Sequence, residues 1–296
     1  MYCLNLIQYK NTQYICLRNQ IFMPVITLTT DFGLKDPFVA SIKARIYREL
    51  PDAVIVDISH GISPFDIAEA AFVLKNSYKD FPDGTIHIVS VDALANPQKK
   101  PISAFIDGQY FIGSDNGILS LICAEVTPHE LVEINIPQAD LDSVFPTRDV
   151  FVPVACHLAR GGKLSVVGQR LKQFKELSFL KPVVKENRMI SGTVIYIDNY
   201  GNAITNISRK LFEQTGKKRD FRIWYRNHEF TEVYNNYNQI VKNFDKESED
   251  FGKAMAIFSS SGFLEIAVYK SNPQTVGAAS TLYGLKKGVE IHVEFY

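Results

Sequence analysis

Three short runs of strand-forming residues separated by stretches of helical periodicity constrain this chain more than any other feature. "VITLTT" (25–30), "AVIVDI" (53–58) and "TIHIVSVD" (85–92) are rich in β-branched and aliphatic residues, as strands buried on both faces must be. Between them lie "PFVASIKARIYREL", with apolar residues at helical spacing, and "DIAEAAFVLKNSY", where Asp66 is the expected helix cap. Strands alternating with helices need right-handed crossovers and give a largely parallel sheet. The pattern changes at "ISAFIDGQYFIGS", where Asp107-Gly108 between two apolar runs predicts a β-hairpin. "TRDVFVPVACHLARGG" then predicts a helix ended by glycine and kinked at Pro153.

The first strand ends on an acid. In "TTDFGLKDPF", Asp31 follows the strand directly and Asp36 precedes Pro37, a residue suited to the first turn of a helix. Ligands collect at the carboxyl ends of strands in open α/β sheets, and a carboxylate there accepts hydrogen bonds from hydroxyl or ammonium groups. The alternative is that Asp31 and Asp36 cap the following helix.

Composition decides what kind of partner to expect. The 296 residues carry 32 basic and 32 acidic side chains, so no global field favours nucleic acid or a membrane surface, and a small-molecule partner is expected. No apolar run approaches the ~20 residues that span a bilayer. Residues 1–22 lack the features of a signal peptide; they are read as a leader without assigned structure, with Met23 as the start. Cys3, Cys16, Cys123 and Cys156 have no CxxC spacing, so neither a disulfide framework, a zinc site nor any other metal centre is indicated, and a cytoplasmic location fits.

Beyond residue 165, "GQRLKQFKELSFLKPVVKENRM" reads as a connection between domains. From Ile190 onward short runs dominate: "SGTVIYID", "NAITNI", "FRIWY", "KAMAIFS", "FLEIAVY" and "VEIHVEF". Such spacing predicts a compact β-barrel or sandwich. "NNYNQIVKNFDKESEDFGK" reads as a mobile loop. His60 reads as a hydrogen-bonded structural histidine at a strand end, and Asn116-Gly117 as a turn.

Four stretches taken together, "TTDFGLKDPF", "VDISHGISPFDIAEAAFVL", "SDNGIL" and "IDNYGNAITNI" followed by "FLEIAV", resemble the S-adenosylmethionine (SAM) hydroxide adenosyltransferases, the family that also holds the fluorinase and chlorinase enzymes. The resemblance runs from about Val25 to the C-terminus. It implies an N-terminal α/β domain with a largely parallel central sheet over 23–180 and a smaller C-terminal β-barrel over 188–296. It also implies a homotrimer with sites at subunit interfaces.

The implied reaction is displacement at the ribose 5′ carbon of SAM, releasing methionine, with water or halide as nucleophile and no cofactor. Asp31 matches an acid that grips the ribose hydroxyls. Asp36 and Asp198 match acids at the methionine end, and Ser260 a serine near the methionine carboxylate. Asn202 matches the residue that reads the adenine edge, while Phe65, Tyr200 and Tyr234 match aromatic residues around sugar and base.

The water-using members hold their nucleophile with an Asp, an Arg and a His. Here the Asp is Asp92, the Arg is replaced by Lys99 and the His by Pro146 in "VFPTRDVF". Thr147 stands where the fluorinase has a serine touching halide, but Ala95 replaces that enzyme's neighbouring hydroxyl. The expectation is a SAM hydrolase using Asp92, Lys99 and Thr147. The alternatives are a protein that binds SAM or adenosine without turnover, and a SAM-dependent halogenase.

Overall fold

The structure is a computed structural model that describes residues 25–123, 126–136 and 143–296; the leader expected over 1–22, with its two cysteines, lies outside the described residues. The first half opens with β1 (Val25–Thr30), α1 (Phe38–Glu49), β2 (Val54–Ser59) and α2 (Ile67–Lys75). It continues with β3 (Ile86–Ser90), β4 (Pro101–Ile106), β5 (Gln109–Ser114), α3 (Ile118–Ile122), β6 (Glu130–Ile134), α4 (Val152–Ala159) and β7 (Gly168–Arg170). Its seven-stranded sheet runs β2-β1-β3-β5-β4-β6-β7. The β2-β1-β3-β5 block is parallel and the remaining pairs are antiparallel. β1 is an interior strand, with Ile26 and Leu28 fully buried, which is why its sequence carries no exposed face.

The hairpin expected at Asp107-Gly108 joins β4 to β5. Both turn residues have positive φ, 52° and 78°, the geometry that makes Asp-Gly the favoured pair. His87, in the middle of β3, bonds Thr27 Oγ1 at 2.7 Å through Nδ1 and Gln109 through Nε2; burial pushes its pKa down to about 4, so it is a neutral structural residue.

The segment around Pro153 departs from a simple kinked helix. Thr147–Phe151 forms a π-helical turn, and Pro153 is the second residue of the α-helix that follows. A proline has no N–H to give and its ring crowds the carbonyl four residues earlier. The wider turn, with the Val152 N–H on the Thr147 carbonyl, accommodates both demands.

The second half contains β8 (Val183–Lys185), β9 (Met189–Ile197), β10 (Ala203–Ser208), α5 (Arg209–Gly216), β11 (Phe221–Tyr225), β12 (His228–Phe230), β13 (Val233–Tyr234), β14 (Ala254–Phe258), β15 (Phe263–Val268), α6 (Ala279–Leu282) and β16 (Glu290–Phe295). The sheet path is β12-β11-β16-β9-β10-β15-β14-β13, with β8 beside β9. Its two end strands, β12 and β13, are separated in the chain only by Thr231 and Glu232, so the edges are brought together and the sheet is nearly barrel-shaped.

The expected connection between domains and the expected mobile loop are both more structured than their composition suggests. Leu171, Phe174 and Phe179 of the 168–182 segment pack on the first half's core. In the polar 235–253 segment, Ile240 and Val241 are buried against Met255, Ile257 and Tyr269, and two short 3-10 turns form around them. A few apolar side chains in a polar run suffice to anchor it. The halves meet through Phe72, stacked on Tyr196 with centroids 4.8 Å apart, and through the Lys287–Asp66 ion pair. Among the described residues, no helix is long and apolar enough to cross a membrane.

Candidate active site

The carboxyl ends of β1 and β3 carry the first cluster. Neither Asp31 nor Asp36 caps a helix: α1 is preceded by Pro37 with no side-chain cap, and Asp66 caps α2 by accepting the Glu69 N–H at 3.0 Å. Asp31 instead accepts the backbone N–H of Phe65 at 2.9 Å through Oδ2. Phe65 sits at φ 64°, a sparsely populated region for a bulky residue, with its ring 70% exposed. Strain of this kind persists where surrounding contacts hold it, and here the contact is Asp31. Asp36 is exposed.

Asp92, just past β3, is also held at positive φ, 47°. Its Oδ1 receives the Lys99 ammonium at 2.6 Å, and the Lys99 side chain is only 14% exposed. The short turn between them is closed by paired backbone bonds, Asn96 to Lys99, both 3.0 Å. Asn116 is buried, and its amide donates to the carbonyls of Val91, at 2.9 Å, and Asp92, at 3.3 Å. The turn read at Asn116-Gly117 is therefore also a brace for the Asp92 loop.

Thr147 is fully buried, and its hydroxyl is bonded to that of Ser90, the last residue of β3. Its hydroxyl therefore bears on the Asp92 loop through Ser90. Pro146 is buried too, immediately before the π-helical turn. Arg148 and Asp149 form a two-pronged pair at 2.7 and 2.9 Å, which holds the Asp149 carboxyl below its usual range. His60 accepts or donates at Nδ1 to Thr30 Oγ1, 2.8 Å away, and its Nε2 lies 3.1 Å from Asp57, as expected of a structural histidine.

The second cluster is on the β9–β10 hairpin. Asp198 accepts the Asn202 backbone N–H at 2.8 Å and its side-chain amide at 3.0 Å, and Asn202 Oδ1 accepts the Val268 N–H at 3.4 Å. Asn202 is buried by these contacts, while Tyr200 at the tip is 63% exposed. Ser260 lies in the exposed β14–β15 turn, at the opposite end of β15 from Val268, roughly 17 Å away at about 3.3 Å per residue. Tyr234, in β13, packs on the Ile240–Met255 cluster.

The structure thus joins Asp31 with Phe65, Asp92 with Lys99, and Asp198 with Asn202. No hydrogen bond or ion pair among the described residues links the first cluster to the second. A broad cleft of about 1470 Å³ between the 170–182 segment, α2 and the second sheet contains none of these residues. Sequence reasoning passed over Ser90, the brace at Asn116, and Glu265. The last was visible as a lone acid in "FLEIAV".

Comparison with known proteins identifies the family. Residues 26–168 match the model of the SAM hydroxide adenosyltransferase N-terminal domain, and 192–292 that of the SAM hydroxide adenosyltransferase C-terminal domain. The chain is 30% identical to an (R)-S-adenosyl-L-methionine hydrolase of Methanocaldococcus jannaschii, over 87% of this chain and 93% of that protein. It is 25% identical to the fluorinase of Nocardia brasiliensis, over 92% and 97%. An uncharacterized conserved protein from Thermotoga maritima superposes with a TM-score of 0.76 at 33% identity, over 91% and 99%. The chain belongs to the SAM hydroxide adenosyltransferase family.

Proposed function

We propose that the protein is a SAM hydrolase, forming adenosine and L-methionine by attack of water on the ribose 5′ carbon. The observation that carries this reading is the Asp92–Lys99 pair at the end of β3. One carboxylate oxygen is fixed by the ammonium, and the other, without a hydrogen-bond partner among the described residues, can accept a hydrogen from water. The leaving group is a sulfonium and departs as a neutral thioether, so the protein's task is to position the sugar and hold a partly desolvated nucleophile. Asp31, with Oδ2 on the Phe65 amide, has Oδ1 left for the ribose hydroxyls. Asp36 and Asp198 offer charge to the methionine ammonium, while Ser260, at the far end of β15 from the Asp198 hairpin, is left out of this arrangement. Asn202, Phe65, Tyr200 and Tyr234 surround the base and sugar. Thr147 acts through Ser90 as a positioning residue.

The reaction so written takes only SAM and water. Incubating the pure protein with SAM, with and without chloride, tests it: adenosine release independent of chloride is expected. Binding without product would favour a non-catalytic binder, which the loss of a titratable group at Pro146 would explain. A haloadenosine would make the protein a halogenase. Replacing Asp31 with alanine is expected to weaken SAM or adenosine binding by about 1–3 kcal/mol, the scale for losing a charged acceptor. Calorimetry showing unchanged affinity would leave Asp31 only its bond to Phe65.

The proposed site needs a second subunit to complete it, in a cytoplasmic homotrimer. Phe65 and Tyr200 present exposed rings, and Leu34 and Leu94 beside the first cluster are 79% and 55% exposed. Apolar groups gathered at an otherwise polar site favour coverage by another chain. Light scattering is expected to give three times the chain mass, and a monodisperse monomer would contradict the shared site.

A further inference from the structure

Glu265 lies on β15 in register with Ile204 of β10 and Ile257 of β14. Those residues in turn stand opposite Tyr196 of β9 and Tyr234 of β13. In-register neighbours share a sheet face, so Glu265 sits in the row Tyr196–Ile204–Glu265–Ile257–Tyr234, in the strand beside Asn202. It is 2% exposed. Its Oε1 accepts the Tyr237 hydroxyl at 2.9 Å.

The groups facing it supply no balancing charge. Asp198, on the hairpin above, is an acid. Tyr237 and Tyr196 are phenols, and Tyr196 also feels Glu69 of α2. Beyond Tyr234 lie Glu232 and Lys253, but Lys253 is paired with Asp250. Among the described residues no Lys, Arg or His makes an ion pair with Glu265 or Asp198. Burial, with Asp198 adding to it, pushes the Glu265 carboxyl up to about 7.

We propose that Glu265 is a positioning residue for the SAM site, whose ionisation and the binding of a cationic ligand at the Asp198–Asn202 hairpin favour one another. The inference rests on the functional reading above. A positive charge arriving at Asp198 supplies the counter-charge that Glu265 lacks. Glu265 then releases its proton to solvent, and its carboxylate takes the Tyr237 hydroxyl bond in its stronger, charge-assisted form. By linkage, a ligand that draws off a proton binds more tightly as pH rises through the group's titration.

The test uses the full chain, Glu265→Gln and Tyr237→Phe, with two probes. Sinefungin is cationic and has no leaving group, and adenosine is neutral. Gln keeps an acceptor for Tyr237, so the fold is retained and only the titration is lost. The ligand's own ammonium titrates identically against each protein, so the ratio of parent to E265Q affinity isolates Glu265. For sinefungin that ratio is expected to rise about tenfold from pH 5.5 to 7.5, as the ionised fraction of an acid near pH 7 rises. For adenosine it should stay within about twofold. Y237F removes the bond that favours the carboxylate, so its sinefungin profile should move to higher pH. Equal pH profiles for parent and E265Q, with both probes still binding, would overturn this inference and leave the hydrolase reading standing. If neither probe nor SAM binds the parent protein, the functional reading falls and this inference falls with it.

Discussion

Replacing Asp92 with asparagine is expected to slow adenosine release by about 10²–10⁴-fold, the range for a well-placed general base. The substitution preserves size and can still face Lys99, but the amide has only one acceptor oxygen and no negative charge. Water held against it loses the group that orients and partly deprotonates it. SAM affinity is expected to change by less than about threefold, since the ligand's hydroxyls and ammonium are assigned to other acids; such a loss in kcat with binding intact marks an interaction made in the transition state. Removing the charge also leaves the mostly buried Lys99 unpaired, so a melting curve must accompany the rate. Adenosine release within tenfold of the parent would remove Asp92 from the mechanism.

The second large effect is a gain. Pro146→His combined with Lys99→Arg restores the residues that water-using relatives are expected to carry beside the acid. Pro146 has φ −59° and ψ −29°, ordinary helical values that histidine adopts without strain. It also precedes the first turn, where a new N–H needs no intrahelical partner. Arginine adds a planar fork where lysine offers a point charge. Adenosine release is expected to rise at least tenfold, short of the roughly 10²–10⁴-fold that a well-placed general base supplies, because Pro146 is buried and the larger ring must displace neighbours. A double mutant that binds SAM as the parent does yet turns over no faster would show that the missing His and Arg are not what limits the protein.

The parallel strands were legible because β1 and β3 are buried on both faces and so cannot hide their apolar runs. The Asp107-Gly108 turn was legible because its backbone angles admit few residue pairs. Asp31 was legible as a strand-end acid, but its bond to Phe65, 34 residues on, was not, because periodicity carries no information on such contacts. The sequence places Thr147 against the nucleophile, but its buried hydroxyl is bonded to Ser90, 57 residues earlier, a contact that periodicity does not show. Glu265 was printed in the sequence as an acid within an apolar strand, the pattern that marks either an error in the strand assignment or a functional group. Strand spacing alone leaves barrel or sandwich open for the second sheet, and only the family resemblance narrows it to a barrel, since closure depends on β12 and β13 being neighbours at its two ends.

The π-helical turn at 147–151 carries one residue more than a regular α-turn, and it therefore fixes the phase of everything before it relative to α4. Deleting a single residue there would let the helix run regularly into α4, but each residue of an α-helix turns the chain by about 100°. Thr147 would swing away from Ser90, its hydrogen-bond partner at the end of β3. The irregular turn acts as a phase adjuster: the extra residue allows a helix interrupted by Pro153 to keep both its core-facing stripe and its site-facing start in register.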